Sequence, residues 1–366
     1  NCAWRSLTKK KGFSVVNIVG LAIGMAAALL ILTYVAFEYS YDDMHSRQDR
    51  IFRVEARFYE NGELTDDWAS SSAGYATAMK QNMSAVEDYT RVGSQYYPEQ
   101  VVKYNELLYR ETGIGYAEAN FFDFFDFKLL KGNKESCLDG PNKVVITERI
   151  AQKYFKGADP IGKILVFRSN IGEEACEVTG IMEDMPINTH IRYNLLISYK
   201  TLPKWMDEYW YRHEVYSYVL LKSANLKTQV EEDFPVMAEK YKTEEALKNK
   251  TWAIQLTNLR DIHLNPQKAY EPEVKGNRSS IWVLICTALA ILCIAWINYI
   301  NMTVARSMER AKEIGIRRAS GASRRQVISQ FLFESLVTNS IAFILAIGLM
   351  EALMPSFNNL TGRDLS

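Results

Sequence analysis

The sequence predicts α-helical transmembrane segments joined to a large α+β extracytoplasmic domain, and three observations carry that prediction. Charged residues are absent from Ser14 to Phe37 and again from Ser279 to Ala305. A third apolar stretch, Phe331 to Met354, holds only Glu334 and Glu351. Between the first two, residues 41–278 have the mixed composition of a water-exposed domain. The mean hydropathy of −0.17 conceals this division because the polar domain offsets the apolar runs. The 43 basic and 43 acidic side chains balance, which argues against a dedicated nucleic-acid binder. Five cysteines, 19 glycines and 9 prolines exclude a disulfide scaffold, a collagen and a low-complexity chain.

A bilayer core of about 30 Å needs about 20 apolar residues as a helix. Val15 to Phe37 and Ile281 to Ile300 meet that requirement, and core helices of soluble proteins rarely run so far without a charge. The third span keeps its uncharged part between two glutamates that suit the interfaces. The first run is too long for a signal-peptide core and no A-x-A site closes it, so it reads as an anchor. Orientation follows the basic residues. Arg5, Lys9, Lys10 and Lys11 precede the first span, and Glu38, Asp42 and Asp43 follow it. Seven basic residues from Arg306 to Arg325 face only Glu309 and Glu313 between the second and third spans. The expected organisation is a cytoplasmic entry segment (1–13), spans at 14–40, 279–305 and 331–354, and a cytoplasmic loop at 306–330. Residues 41–278 and a tail from Pro355 (355–366) lie on the far side.

The outer domain reads as a split β-α-β unit hosting an insertion. Strands are expected at Arg50–Tyr59, Tyr89–Val92, Val101–Tyr109, Val215–Leu221 and Thr251–Leu259. Helices are expected at Gly74–Met83 and, broken at Pro235, at Leu226–Leu247. The outer parts are 41–118 and 201–278, and the inserted subdomain is 119–200. The insertion carries NFFDFFDF (120–127), the strand KVVIT (143–147), the helix ERIAQKYF (148–155), a DPIGK turn and a strand pair at 164–167 and 176–181. Its five phenylalanines are read as packing residues rather than as a ligand surface.

Catalytic motifs are missing. There is no G-x-x-x-x-G-K-[ST] phosphate loop, H-E-x-x-H, C-x-x-C or G-x-S-x-G, and no metal site or catalytic residue is assigned. The four histidines (His45, His190, His213 and His263) are isolated in sequence. Cys137 and Cys176 both face the oxidising side, where pairing is one option and free thiols the other. Gly20, Gly24 and Ala28 place small residues on one helix face, suiting either a dimer contact or packing against the second span.

The loop from Arg306 to Leu336 is neither a tight turn nor a domain. Gly315 and Gly321 let the chain turn, and Ser323 with Gln326 fits a capping box that starts a new helix. A short basic helix with apolar residues there suits docking into a groove on a cytosolic partner, or contact with anionic lipid. EIGIRRASGASRRQVISQFLFESL, from residue 313, resembles the coupling segment of the MacB/FtsX-like family of ABC-transporter permeases. The N-terminal RSLTKKKGFSVVNIVGLAIGMAAALLILTYV resembles its Bacteroidetes-type members. So do NFFDFFDFKLLKG, GPNKVVITERIAQKYF, DPIGK and VTGIMEDMPINTH in the outer domain. One departure is Ser320, which stands where an aliphatic residue is common.

The resemblance implies a non-catalytic permease subunit of a bacterial inner membrane, with the outer domain periplasmic. ATP and Mg would sit on a separate ABC ATPase subunit. Lys312, Glu313, Ile314, Gly315, Ile316, Arg317, Arg318, Gly321 and Ala322 would receive the motor's motion. The spans would relay it to the outer domain for efflux or export. A second permease copy or paralogue, membrane lipid, a periplasmic adaptor and an outer-membrane channel are the implied partners; nucleic acid is not. The family pattern has three spans after the outer domain and two are present, so a truncated chain is expected. The competing reading is a transmembrane sensor or regulator whose outer domain binds a ligand or activates a cell-wall hydrolase. An enzyme in the outer domain is a third reading, for which no motif speaks.

Overall fold

The computed structural model describes residues 11–94, 99–169, 172–213, 215–242, 245–272, 275–305, 311, 314–316, 319–321 and 323–365. It divides into a helical unit (residues 1–39 and 278–366) and a sheet unit (residues 40–277).

Among the described residues, three helices of the helical unit are long and apolar enough to cross a membrane. They are α1 (Lys11–Tyr39), α6 (Arg278–Ala305) and α7 (Arg324–Thr361), the sheet unit supplying α2 to α5. Leu21, Ala22 and Ala26 of α1 pack with Ala295 of α6 and with Ala342 and Ala346 of α7. Small side chains let helix backbones approach closely, and in lipid that van der Waals contact is a main source of association. Helix α7 corrects two boundaries. It begins at Arg324, seven residues before the expected span, and it continues through Pro355, where a tail was expected. A proline removes one helical N–H without forcing an end to the helix. The helix instead terminates at Gly362, whose φ of +65° is the left-handed conformation typical of a C-terminal cap.

The sheet unit begins with β1 (Ile51–Glu60), β2 (Glu63–Asp67), α2 (Gly74–Asn82) and β3 (Val86–Ser94). A hairpin follows, β4 (Glu99–Tyr104) and β5 (Leu107–Thr112), then β6 (Ile114–Ala117), α3 (Phe121–Phe124) and β7 (Leu129–Lys131). Next come β8 (Lys143–Thr147), α4 (Glu148–Phe155), β9 (Ile164–Ser169), β10 (Gly172–Met182) and β11 (Leu195–Ser198). The unit closes with β12 (Val215–Leu221), α5 (Lys227–Ala238) and β13 (Thr251–Asn258). The strands join in one mixed sheet, ordered β13-β1-β12-β3-β6-β11-β8-β10-β9-β4-β5, with β2 on β1 and β7 on β10. First and last strands of the domain thus lie together at one end.

The single strand expected over 101–109 is the β4–β5 hairpin. Asn105 turns it at φ +53°, a conformation asparagine tolerates better than most residues. The hairpin pairs with β9, at the sheet end formed by strands of the 119–200 segment. The helix expected over 226–247 passes Pro235 but ends as α-helix at Ala238, beyond which the chain takes 3-10 turns. Helix α4 spans the expected 148–155 and is capped at both ends: the Thr147 hydroxyl accepts the Ile150 N–H, and Lys156 at φ +50° closes the other end.

Alternation along the strands gives the sheet two covered faces. On one, Val54, Phe58, Val219 and Trp252 of the strands pack with Phe234 of α5, and Val144 and Ile146 pack with Ile150 and Phe155 of α4. The other face carries Phe121, Phe122, Phe124, Phe125 and Phe127, all buried, so these rings are core. The two faces also settle the outer cysteines. Cys176 belongs to the α4 face and Cys137 to the phenylalanine face, and both are free thiols. The sheet between them forbids the pairing considered from sequence, since a disulfide requires Cα atoms within about 7 Å. Thiol titration of denatured, unreduced protein should therefore find both cysteines reactive; a 137–176 disulfide in its peptide map would contradict this arrangement.

Candidate functional site

The segment between α6 and α7 is the first candidate. Lys312, Glu313, Arg317, Arg318 and Ala322 lie outside the described residues. Residues 314–316 are helical, Ile316 is solvent-exposed, and the Ser320 N–H closes a turn on the Ile316 carbonyl. Gly315 has open space around it. Gly321 has a φ of +91°, a turn that a side chain would strain. Immediately after it, Ser323 caps α7: Gln326 N donates to Ser323 Oγ, and Ser323 N donates to Gln326 Oε1. The expected capping box is formed, so α7 starts in a defined place.

The small residues of α1 meet the second span of the same chain. A Cβ on Gly24 would lie 2.7 Å from the Ala295 Cβ, and one on Gly20 3.7 Å from Asn298 Nδ2. Ala28 is buried as well. Of the two roles left open for this face, packing within the chain is the one occupied.

The sheet unit holds a third arrangement, at the residues that follow α1 and precede α6. Asp42 takes φ +60°, unusual for a residue other than glycine. Its carboxylate accepts from Thr189 Oγ1 at 2.6 Å and lies 2.7 Å from His190 Nδ1. The other His190 ring nitrogen is 2.9 Å from the Tyr218 hydroxyl. Tyr218 on β12 is the register partner of Arg53 on β1. The fully buried Arg53 guanidinium bonds Glu55 and Glu271, and Lys275 pairs with Glu271. Thr257 on β13 and Lys268 both bond Glu55. Two polar networks therefore meet on neighbouring strands: one starts at Asp42, three residues past α1, and the other ends at Lys275, three residues before α6. Burial alone would raise the Asp42 pKa; the His190 ring and the bonds from His190 and Thr189 outweigh it and hold the carboxyl below the usual range.

Tyr41 stacks on His263 at 3.4 Å between ring centroids. His45 lies buried against Phe125 and Phe127, and its Nδ1 accepts the Asp126 N–H. Burial lowers its pKa to about 4, so the ring is neutral near pH 7.

Residues 14–235 match the family model described as the MacB-like periplasmic core domain, and residues 285–365 match the FtsX-like permease C-terminal model. The chain belongs to the MacB/FtsX-like family of ABC-transporter permeases. The macrolide export ATP-binding/permease protein MacB of Neisseria meningitidis is 27% identical over 69% of this chain and 38% of that protein. The probable syringafactin export ATP-binding/permease protein SyfD of Pseudomonas syringae is 24% identical over 96% of this chain and 50% of that protein. The chain thus spans half or less of the length of these two relatives. A domain of a putative permease from Porphyromonas gingivalis superposes with a TM-score of 0.52 at 23% identity, covering 63% of this chain and 96% of that one. That likeness shows a shared fold.

For a MacB/FtsX-like permease, the junction network is what motif reading missed. Asp42, His190 and Tyr218 are each unremarkable alone, and 148 residues separate the first two. The available signal was Asn-Thr-His at 188–190, whose polar run ends the VTGIMEDMPINTH stretch that resembled the family.

Two outcomes follow from this geometry. The His45 pKa falls from 6.5 to about 4 on folding, so the unfolded chain takes up a proton first as pH drops. Stability should be complete above pH 6.5 and fall by roughly 3 kcal/mol down to about pH 4. His45→Asn, which keeps an acceptor but cannot titrate, should flatten that slope in denaturant titrations run at several pH values. In the helical unit, Gly24→Ala should destabilise the detergent-solubilised protein by about 1–3 kcal/mol through overpacking. Adding Ala295→Gly should restore most of the loss in thermal unfolding.

Proposed function

We propose that this chain is the non-catalytic membrane subunit of an ABC transporter, coupling ATP hydrolysis by a separate ATPase to movement of its periplasmic domain. The observation that carries the reading is the order of parts. A membrane helix leads into a MacB-like periplasmic core domain, and an FtsX-like permease region follows with the basic, capped segment between α6 and α7. The two relatives named above are described as export ATP-binding/permease proteins, which suits an ATPase partner and an export role. The reading places the N-terminus and residues 306–325 in the cytoplasm, in line with their basic surplus, and residues 41–278 in the periplasm.

In this mechanism the ATPase dimer closes on ATP and Mg, and the segment from Lys312 to Ala322 takes up the displacement. Exposed Ile316 supplies an apolar contact for a groove on the ATPase. The Ser323 capping box makes α7 rigid from its first turn, and the Gly24–Ala295 contact holds α1 on α6, so the helices move together. Beyond the membrane, the Asp42–His190 and Arg53–Glu271 bonds hold the chain near both helices on the sheet unit, the second of them at the sheet end that carries β1. The cargo would be an exported molecule, and a second permease copy would complete the transporter.

The test is affinity purification of the tagged chain from its native membrane. An ABC ATPase should co-purify, and ATP hydrolysis should follow that subunit and be absent from the chain alone. Gly315→Glu and Arg317→Glu should each reduce ATPase recovery at least tenfold while leaving thermal unfolding unchanged. Full recovery with both variants would exclude the segment as the docking site.

A further inference from the structure

A cavity of about 320 Å³ opens where three parts of the sheet unit meet. One wall is helix α2, whose Gly74, Ala78 and Gln81 share a face at helical spacing. The second is the 3-10 turn Lys204–Glu208 with Trp210 just after it. The third is Lys240 and Tyr241, in the 3-10 turn beyond α5. Gly74 lets these walls close together, since a Cβ there would lie 2.9 Å from Trp210 Nε1 and 3.0 Å from the Asp207 carbonyl oxygen. Several contacts fix the second wall. Arg91 Nη1 donates to Asp207 Oδ1 at 2.5 Å and to the Ala73 carbonyl at 2.8 Å. The Tyr75 hydroxyl donates to the Trp210 carbonyl, and the Trp210 and Tyr241 rings stack at 4.2 Å. The cavity is therefore preformed, and its volume falls in the range of about 300–1,000 Å³ typical of small-molecule sites.

We propose that this cavity binds a neutral sugar, a ring with an apolar C–H face and several hydroxyls. The lining offers both kinds of surface at once. Trp210, Tyr241, Ala78 and Gly74 supply an apolar part that a sugar ring can cover. Beside it, Gln81 supplies an amide, Glu208 a carboxylate and Tyr241 a hydroxyl. None of these three polar groups has a protein hydrogen-bond partner among the described residues. Between them they can both donate to and accept from sugar hydroxyls.

Charge selects against the other ligand classes. Arg91 balances the Asp207 carboxylate, and Lys240 balances Glu208, so the lining has no surplus charge with which to hold an ion. The Lys240 ammonium is already engaged by Asn82 Oδ1 at 2.5 Å and lies 5.0 Å from the centre of the Tyr241 ring, which leaves it poorly placed to capture a ligand carboxylate. A wholly apolar ligand would strip water from the Gln81 amide and the Glu208 carboxylate without replacing its hydrogen bonds. This inference concerns the sheet unit alone and does not depend on ATPase coupling.

The test is saturation-transfer difference NMR on the full chain in lipid nanodiscs, which avoids sugar-headed detergents. Cellobiose, maltose and N,N′-diacetylchitobiose are each titrated to millimolar concentration. At least one should give a saturable signal whose midpoint is the same at low and high salt. Gln81→Ala and Glu208→Ala should each weaken that binding about threefold to tenfold, the worth of one hydrogen bond, with thermal unfolding unchanged. Glu208→Gln, which keeps an acceptor and loses the charge, should bind within about twofold of the parent. Absence of a saturable signal with all three sugars would overturn the proposal. So would binding that both alanine variants leave untouched, which would put the sugar elsewhere. Loss in Glu208→Gln equal to that in Glu208→Ala would mean that the site reads charge, and would overturn the neutral class.

Discussion

The carboxylate of Asp42 constrains the passage from membrane helix to sheet. Three residues beyond α1, the backbone turns through a left-handed conformation that costs of order 1–3 kcal/mol for most side chains. Asp42 holds that turn because its oxygens accept from Thr189 and engage the His190 ring, on a loop far away in sequence. Without those partners the turn would relax.

A buried ionic cluster organises β1 and the segment after β13. Arg53 is fully buried, which is tolerable only because Glu55 and Glu271 take up its guanidinium. Lys275 and Lys268 then balance the two carboxylates. Removing one partner from such a cluster leaves a stranded charge and typically costs about 3–5 kcal/mol. Burying charge this way is a poor way to gain stability. It is an effective way to give two distant segments one geometry, because each charge has a single set of partners.

Contacts in the helical unit have a different origin. Lipid offers no hydrophobic reward for helix association, so close approach decides it. Gly24 against Ala295, and Ala22 and Ala26 near Ala342 and Ala346, supply that approach with the smallest available side chains. The segment leading into α7 combines freedom at Gly315 and a left-handed turn at Gly321 with a capped helix start at Ser323.

Local chemistry made much of this legible in the sequence. Uncharged runs announced the three helices, because hydrocarbon excludes charge over a fixed thickness. The Ser323–Gln326 box, the helix over 148–155 and the phenylalanine core were readable because each depends on neighbours within a few residues or on bulk burial. Folding alone decided the rest. The 101–109 stretch became a hairpin because β9 supplied an edge for it, and Cys137 and Cys176 were separated because the loop between β7 and β8 places Cys137 on one face while Cys176 on β10 points to the other. The union of Asp42 with His190, and of Arg53 with Glu271, depends on which strands and loops meet, which no local pattern encodes.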